Sequence, residues 1–366
     1  MVGQEAMRKH VSRSRGGVQK GPRGAVEGWD VMSATPAPQA PSDARSPVFD
    51  FRPLPLLRNP HVQTMLGHFL RGPELTQPSR PHVLWLADGD GLVLHDSVPH
   101  GWRPGDPLAL VIHGLSGSHR SRLVQRMARL LLERRLRVVR LDLRGAGLGI
   151  SLARVCYHGG RSDDVRAALA EMHRWSPASP LFVVGLSLGG NLALKLAGEA
   201  ADRPVPGLAA VAALGPPIDL ERCAALLARP GNRLYENFFV RDLLAEARQR
   251  QRFFPDLPPL RLPRRLTLRL FDDLYTAPRC GFADALDYYR RASSWPLIGC
   301  IPVRTLMLTA RDDPFIAVEP FESLQAPPHV TVTIVPHGGH LGFLGWDGAG
   351  GIRWAERRVA EWLLGG

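Results

Sequence analysis

Apolar runs set at intervals along the chain, each followed by a stretch of helical period, constrain its fold more than any other feature. Leu108–Ile112, Leu181–Leu186 and Leu208–Leu214 are nearly unbroken in apolar character, as strands are when both faces of a parallel sheet are covered. Between them, residues 120–134 put Leu123, Met127, Leu130 and Leu131 on one helical stripe, residues 138–143 read as a strand, and Ser162–Trp175 and 188–200 read as helices. This alternation predicts an α/β fold of doubly wound type, a mostly parallel sheet with helices on both faces. Residues 82–86 and 92–96 flank Asp88-Gly-Asp-Gly91 and predict a hairpin ahead of it. After Gly215-Pro-Pro217 the alternation stops. Residues 219–289 are mostly helical and polar, strands resume at 303–308 and 330–335, and an amphipathic helix at 352–364 closes the chain. The expected organisation is a core in two parts, 48–218 and 301–366, interrupted by a helical insertion at 219–300. That insertion is expected to cap the carboxyl ends of the strands, where open α/β sheets bind ligands.

Residues 1–47 lack hydrophobic periodicity and are rich in Gly, Ser, Pro, Ala and Arg, which predicts a disordered basic tail. No apolar h-region follows the early basic residues, so a secretory signal is not supported, and Met32 is an alternative translation start. The net charge of +12 comes almost wholly from arginine, because Lys9, Lys20 and Lys195 are the only lysines. Arg8, Lys9, Arg13, Arg15, Lys20 and Arg23 face Glu5 alone in the first 24 positions, and the rest of the charge is scattered without a basic stripe. No specific nucleic-acid partner is therefore expected. A binding protein using the basic tail on nucleic acid or anionic membrane is the non-enzymatic alternative. The closest approach to a membrane span, residues 181–197, is broken by Gly185, Ser187, Gly189, Gly190, Asn191 and Lys195, whereas a span needs about 18 to 20 apolar residues. No transmembrane segment is expected. Cys156, Cys223, Cys280 and Cys300 form no CxxC pair, so reduced thiols in a cytoplasmic protein, free or peripheral to a membrane, are expected rather than zinc or a disulfide framework. Oligomeric state leaves no mark in these patterns.

Gly185-Leu-Ser187-Leu-Gly189 matches G-x-S-x-G between an apolar strand and a helix. That strand-turn-helix setting makes it a nucleophile elbow, with Gly185 and Gly189 allowing the tight turn and Ser187 exposed at its tip. A serine hydroxyl needs a base that is itself oriented by a carboxylate, in the chain order Ser, acid, His for this fold class. Strand 303–308 leads to Asp312-Asp313-Pro314, and strand 330–335 leads to His337-Gly-Gly-His340. Asp313 is favoured over Asp312, with Pro314 shaping the turn, and His340 over His337, because Gly338-Gly339 gives the loop reach. An oxyanion needs one backbone donor from the residue after the nucleophile and one from an earlier strand loop. Leu188 and Leu115, the latter within His113-Gly-Leu-Ser-Gly117, are the candidates for this oxyanion hole, with His113 orienting the loop. There is no dinucleotide fingerprint and no Walker A lysine, and His337 and His340 lack a third ligand for zinc, so neither a cofactor nor a metal is expected.

Beyond this core, the chain resembles the YheT-like branch of the α/β hydrolases, the AB-hydrolase-4 family, which includes eukaryotic ABHD-type lipases and esterases. The resemblance runs from about Phe49 to Leu364. It rests on Asn59-Pro-His-Val-Gln-Thr64, Asp88-Gly-Asp90, His113-Gly-Leu115, Arg144-Gly145, Tyr157-His158, Asp163-Asp164 and Gly185-Leu-Ser-Leu-Gly-Gly-Asn191. Phe271-Asp-Asp-Leu-Tyr-Thr-Ala-Pro278, Tyr288-Tyr-Arg290, Asp312-Asp-Pro-Phe315 and Gly338-Gly-His-Leu-Gly-Phe343 complete it. It implies an α/β-hydrolase fold, the triad Ser187, Asp313 and His340, and hydrolysis of carboxylic esters, with short-chain esters or glycerolipids as substrates. A lipase for monoacylglycerols or phospholipids, or a thioesterase, would use the same residues. Ala146 and Leu148 depart from the family's usual R-G-x-G-G segment, a departure expected to bear on the substrate pocket. Asn59 to Thr64 is expected to be a structural brace, and Phe271-Asp-Asp273 with Tyr275 to Pro278 to fix cap against core.

Overall fold

The structure, a computed structural model, describes residues 49–72 and 75–365. The expected basic tail, 1–47, and the alternative start at Met32 lie outside the described residues. Eight strands form one sheet: β1 (Arg80–Trp85), β2 (Gly91–Ser97), β3 (Leu108–Ile112), β4 (Arg137–Asp142), β5 (Leu181–Leu186), β6 (Leu208–Leu214), β7 (Arg304–Ala310) and β8 (Val330–Val335). Their order is β1-β2-β4-β3-β5-β6-β7-β8. The β1–β2 hairpin and the β2–β4 pair are antiparallel, and all remaining pairs are parallel. From β3 the chain moves to β4 on one side and then crosses back to β5 on the other, so the carboxyl ends of β3 and β5 lie side by side where the winding reverses. A crevice opens at such a point.

Residues alternate between the two faces of each strand, and this period divides the core. Leu108, Leu110, Ile112 and Val183 join one cluster with Leu169 of α3 (Ser162–Trp175) and Leu192 and Leu196 of α4 (Leu188–Glu199). Ala109, Val111 and Val184 join the other, with Val124, Met127 and Leu131 of α2 (Arg122–Glu133) and with Val359 and Ala360 of α11 (Trp354–Leu363). Strands β3 and β5 are buried along their whole length, which is why they carry no polar alternation in sequence. Just past the carboxyl end of β4 a buried arginine ties three segments together. Arg144 donates to both Asp164 carboxylate oxygens at 3.0 and 2.8 Å, to Asp90 at 2.8 Å and to Asp88 at 2.6 Å. The signature pieces Asp88-Gly-Asp90, Arg144-Gly145 and Asp164 are thus one bidentate, charge-assisted junction.

Helix α1 (Pro60–Phe69) precedes the sheet. Asn59 caps it by accepting from the amides of His61 and Val62. Between β6 and β7 lie α5 (Leu220–Leu227), α6 (Arg233–Phe253), α7 (Leu268–Phe271), a π turn at Asp272–Thr276, α8 (Ala277–Cys280) and α9 (Ala285–Ala292). The helical character predicted for 219–289 is interrupted between Phe253 and Leu268. Pro255, Pro258, Pro259 and Pro263 fall there, and each removes a backbone donor and blocks a helical turn. Strand β7 runs to Ala310, two residues past the predicted end, which brings Asp312 and Asp313 directly to the strand's tip. A short α10 (Glu319–Glu322) links β7 to β8.

Candidate active site

Strand β5 ends at Leu186 and α4 begins at Leu188, leaving Ser187 alone in the turn with φ 52° and ψ −121°. The flanking glycines make the turn possible. A Cβ on Gly185 would stand 2.3 Å from the Gly189 carbonyl oxygen, and one on Gly189 would stand 2.5 Å from the carbonyl oxygens of Ile112 and His113. Ser187 itself pays with a left-handed φ, the kind of local strain concentrated at functional turns.

His340 reaches this serine from the loop after β8. Its Nε2 lies 2.9 Å from Ser187 Oγ and its Nδ1 lies 2.7 Å from Asp313 Oδ2. With Nδ1–H donated to the buried carboxylate, Nε2 keeps its lone pair for the serine proton. Asp313 is fixed in turn, because its Oδ1 accepts the amides of Phe315 and Ile316 at 3.0 Å each. Asp312 faces elsewhere: Oδ1 accepts the Gly339 amide at 2.9 Å and Oδ2 lies 3.2 Å from His337 Nδ1. Of the two carboxylates and two histidines weighed from the sequence, the structure brings Asp313 and His340 to Ser187 and sets Asp312 and His337 against each other.

The amides of Leu115 and Leu188 have no acceptor among the described residues. Glycine at 114 lets the β3 loop lie against the serine, since a Cβ there would come 3.1 Å from Ser187 Cβ. Three contacts hold that loop. His113 donates from Nδ1 to the Gly114 carbonyl at 2.7 Å while its Nε2 accepts the Leu143 amide at 3.3 Å. The Ser116 amide donates to Tyr157 Oη at 2.6 Å. Asp142 accepts the His119 amide at 2.7 Å, His119 Nδ1 at 2.8 Å, His95 Nε2 at 2.9 Å and the Leu148 amide at 2.9 Å. Burial pushes the Asp142 carboxyl up, but hydrogen bonds from His119 and His95 outweigh it and hold the group well below the ordinary carboxylate range. The ligand atoms of His95, His119 and Asp142 lie within 4.8 Å of one another, a spacing open to a metal. Here both ring nitrogens facing the carboxylate are used in hydrogen bonds, which makes the trio an anchor for the 113–121 loop.

The His340 loop is held from the other side by α1. Thr64 Oγ1 accepts the His340 amide at 2.8 Å, and Gln63 accepts the Leu344 amide at 2.7 Å while donating to the carbonyls of Leu57 and Leu344. Asn59 to Thr64 is thus a brace, and one that touches the site directly. Tyr157 and Thr64 were not singled out as site residues in the sequence. Their only mark there is membership in the Tyr157-His158 and Asn59–Thr64 blocks.

The block around Asp272 meets expectation in its packing, since Phe271 and Tyr275 cluster with Cys156 and Leu115 of the core, but not in its carboxylates. Asp272 accepts from Thr276 at 2.6 Å and Tyr289 at 2.8 Å, and Asp273 accepts the Ala285 amide at 2.7 Å, so these carboxylates bind the inserted helices to one another rather than to the core. Hydrogen bonds to the core come from Arg250, donating to the Gly145 carbonyl at 3.0 Å, and from Tyr288 Oη, accepting the Gly159 amide at 3.0 Å.

Ser187 borders two chambers. One, of about 650 Å³, is lined by Gly114 to Gly117, His340, Phe69, Leu234 and Phe238 among others. The second, of about 100 Å³, lies under α5 and α6 and includes Leu188, Ala224, Leu227, Leu243, Asp272 and Thr276. Leu115, Phe239 and Phe315 border both. Ala146 and Leu148, expected to bear on the pocket, line neither.

Burial pushes the Asp272 carboxyl up from 3.8 to about 7, against the opposing pull of hydrogen bonds from Thr276 and Tyr289. Between those two pH values the folded chain keeps a proton that the unfolded chain has released, so this group's contribution to stability falls as pH rises through the window and is level above about 7. In melting curves, wild type relative to Asp272→Asn is expected to lose roughly 5 °C between pH 5 and 7.5. Parallel curves for the two proteins would remove Asp272 as the cause.

A family profile described as alpha/beta hydrolase fold matches residues 107–345. YheT of Escherichia coli (strain K12) is 34% identical over 86% of this chain and 93% of its own length. "Medium-chain fatty acid ethyl ester synthase/esterase 2" of Saccharomyces cerevisiae is 28% identical over 70% of this chain and 62% of its own length. The Pyrococcus furiosus esterase Pf2001 superposes with a TM-score of 0.51 at 15% identity, covering 81% of this chain and 97% of that one. Fold, elbow and strand order define an α/β hydrolase, as the sequence predicts. Within that class the chain belongs to the YheT-like family.

Proposed function

We propose that the protein is a serine hydrolase of carboxylic esters, short-chain esters included. The observation that carries this reading is the unbroken relay from Ser187 Oγ through His340 to Asp313, at 2.9 and 2.7 Å. Ser187 attacks the ester carbonyl as His340 takes its proton, and Asp313 stabilises the imidazolium that results. The Leu115 and Leu188 amides receive the oxyanion. His340 returns the proton to the leaving alcohol, and a water activated by the same histidine then releases the acid. The insertion at 219–300 serves as the cap, since α5 and α6 wall the chambers beside Ser187. Ester chemistry in the name of the yeast relative supports the reaction class. Glycerolipid esters are the second reading, in which the apolar walls of the larger chamber, Phe69, Leu234 and Phe238 among them, would take the fatty acyl chain. No helix among the described residues is long and apolar enough to cross a membrane.

A fluorophosphonate probe is expected to label one site, with the adduct mapping to the peptide that carries Ser187. Failure to label, or an adduct on Ser116, would count against the proposal.

A further inference from the structure

The two chambers differ in one respect that decides which part of an ester each can hold. His340 lines the larger chamber and is absent from the smaller. This matters because the two substituents of an ester carbonyl have different needs. When Ser187 Oγ bonds to the carbonyl carbon, the Oγ proton passes to His340 Nε2. When the tetrahedral adduct collapses, the bond from carbon to the alcohol oxygen breaks, and that oxygen takes the proton from Nε2. The alcohol oxygen must therefore stand within hydrogen-bond reach of His340. The carbonyl oxygen faces the amides of Leu115 and Leu188. One direction remains at the tetrahedral carbon for the acyl chain, and one chamber bordered by Ser187 remains without the base.

We propose that the small chamber beneath α5 and α6 is the acyl subsite and the large chamber the alcohol subsite, so the enzyme selects short acyl groups on bulky, largely apolar alcohols. This rests on the ester-hydrolase reading and adds a direction to it. Size sets the acyl limit: a cavity of about 150 Å³ holds benzene, so about 100 Å³ holds a chain of about four carbons. The alcohol side is much less confined, because about 650 Å³ lies in the range that accommodates drug-sized ligands, roughly 300 to 1,000 Å³. Ala224 and Leu227 of α5 line the small chamber alone, and Leu234 of α6 lines the large chamber alone. These residues allow the two subsites to be altered separately, and none of them has a part in the proton relay.

The test is kcat/KM on two substrate series. One varies the acyl group of p-nitrophenyl esters from acetate through butyrate to octanoate, and the other varies the alcohol of butyrate esters from ethyl to dodecyl. Wild type is expected to fall by about 100-fold or more from butyrate to octanoate and to tolerate the alcohol series. Ala224→Phe fills the small chamber and is expected to lower butyrate at least tenfold while acetate stays within about threefold. Leu227→Ala enlarges it and is expected to raise octanoate relative to butyrate about tenfold. Leu234→Ala, at an exposed position, is expected to shift only the alcohol series. Retained fluorophosphonate labelling shows that each variant is folded, and if Ala224→Phe is lost, Leu227→Ala still decides the matter. An alcohol series that responds to positions 224 and 227 while the acyl series does not would overturn the assignment by reversing it. Equal response in both series, or in neither, would also overturn it. Absence of wild-type turnover on every ester would instead strike the ester-hydrolase reading beneath it.

Discussion

Alanine at position 187 is expected to lower kcat for p-nitrophenyl butyrate by about 10⁵- to 10⁶-fold, with KM changed no more than a few fold. Loss of the nucleophile in a serine-histidine relay costs about that much, and the remaining rate comes from oxyanion donors and binding. The variant should fold normally. Ser187 points its hydroxyl at His340 rather than into the core, and the glycine contacts that shape the turn are made by Gly185 and Gly189. Unchanged substrate binding with a collapsed kcat would mark the residue as one whose bond forms in the reaction. Activity within tenfold of wild type would mean that the ester is cleaved elsewhere or by water alone.

The second large effect separates two neighbours in the chain. Asp313→Asn is expected to lower kcat by about 10³- to 10⁴-fold, because an amide at that point no longer enforces the tautomer that leaves Nε2 free to accept. Asp312→Asn is expected to cost less than about tenfold, since it loosens the Gly339 amide and His337 without touching His340. Both carboxylates sit in one turn, so a general electrostatic role would predict similar losses. Steady-state kinetics on the two proteins, with fluorophosphonate labelling rates as a second readout, distinguish the cases. Comparable effects at 312 and 313 would sink the assignment of a single acid.

Ser187 and His340 were legible in the sequence because each follows an apolar run and keeps the chain order of this fold class. Asp313 was legible only in part. Two adjacent carboxylates at a strand tip differ by the direction in which each side chain leaves the turn, and no periodicity records that direction. The sheet was readable because β3, β5 and β6 are buried on both faces and so lack polar interruption. The insertion was readable as helical and was expected as a cap over the strand ends, but the contacts by which it docks were not readable. Its helices meet the core through single long-range contacts such as Arg250 to Gly145 and Tyr288 to Gly159, 105 and 129 residues apart. Such pairings depend on how finished helices dock, which local pattern does not encode. The same holds for Tyr157, whose hydroxyl receives the Ser116 amide from 41 residues away. It also holds for the unequal chambers, which exist only once α5 and α6 are seated over the strand ends.

The α1 brace bears on how much chain makes a working unit. The portion that matches the general alpha/beta hydrolase fold profile, residues 107–345, contains every group assigned to the reaction. Yet the hydroxyl that receives the His340 amide and the side chain that clasps Leu344 sit at 64 and 63, before that portion begins. One flank of the sheet also rests on α11, after that portion ends. A fragment trimmed to those borders would keep all the reacting atoms and lose the wall that fixes one of them. For transplanting or recombining this enzyme, the portable module must therefore reach back to Asn59 and forward through Leu363.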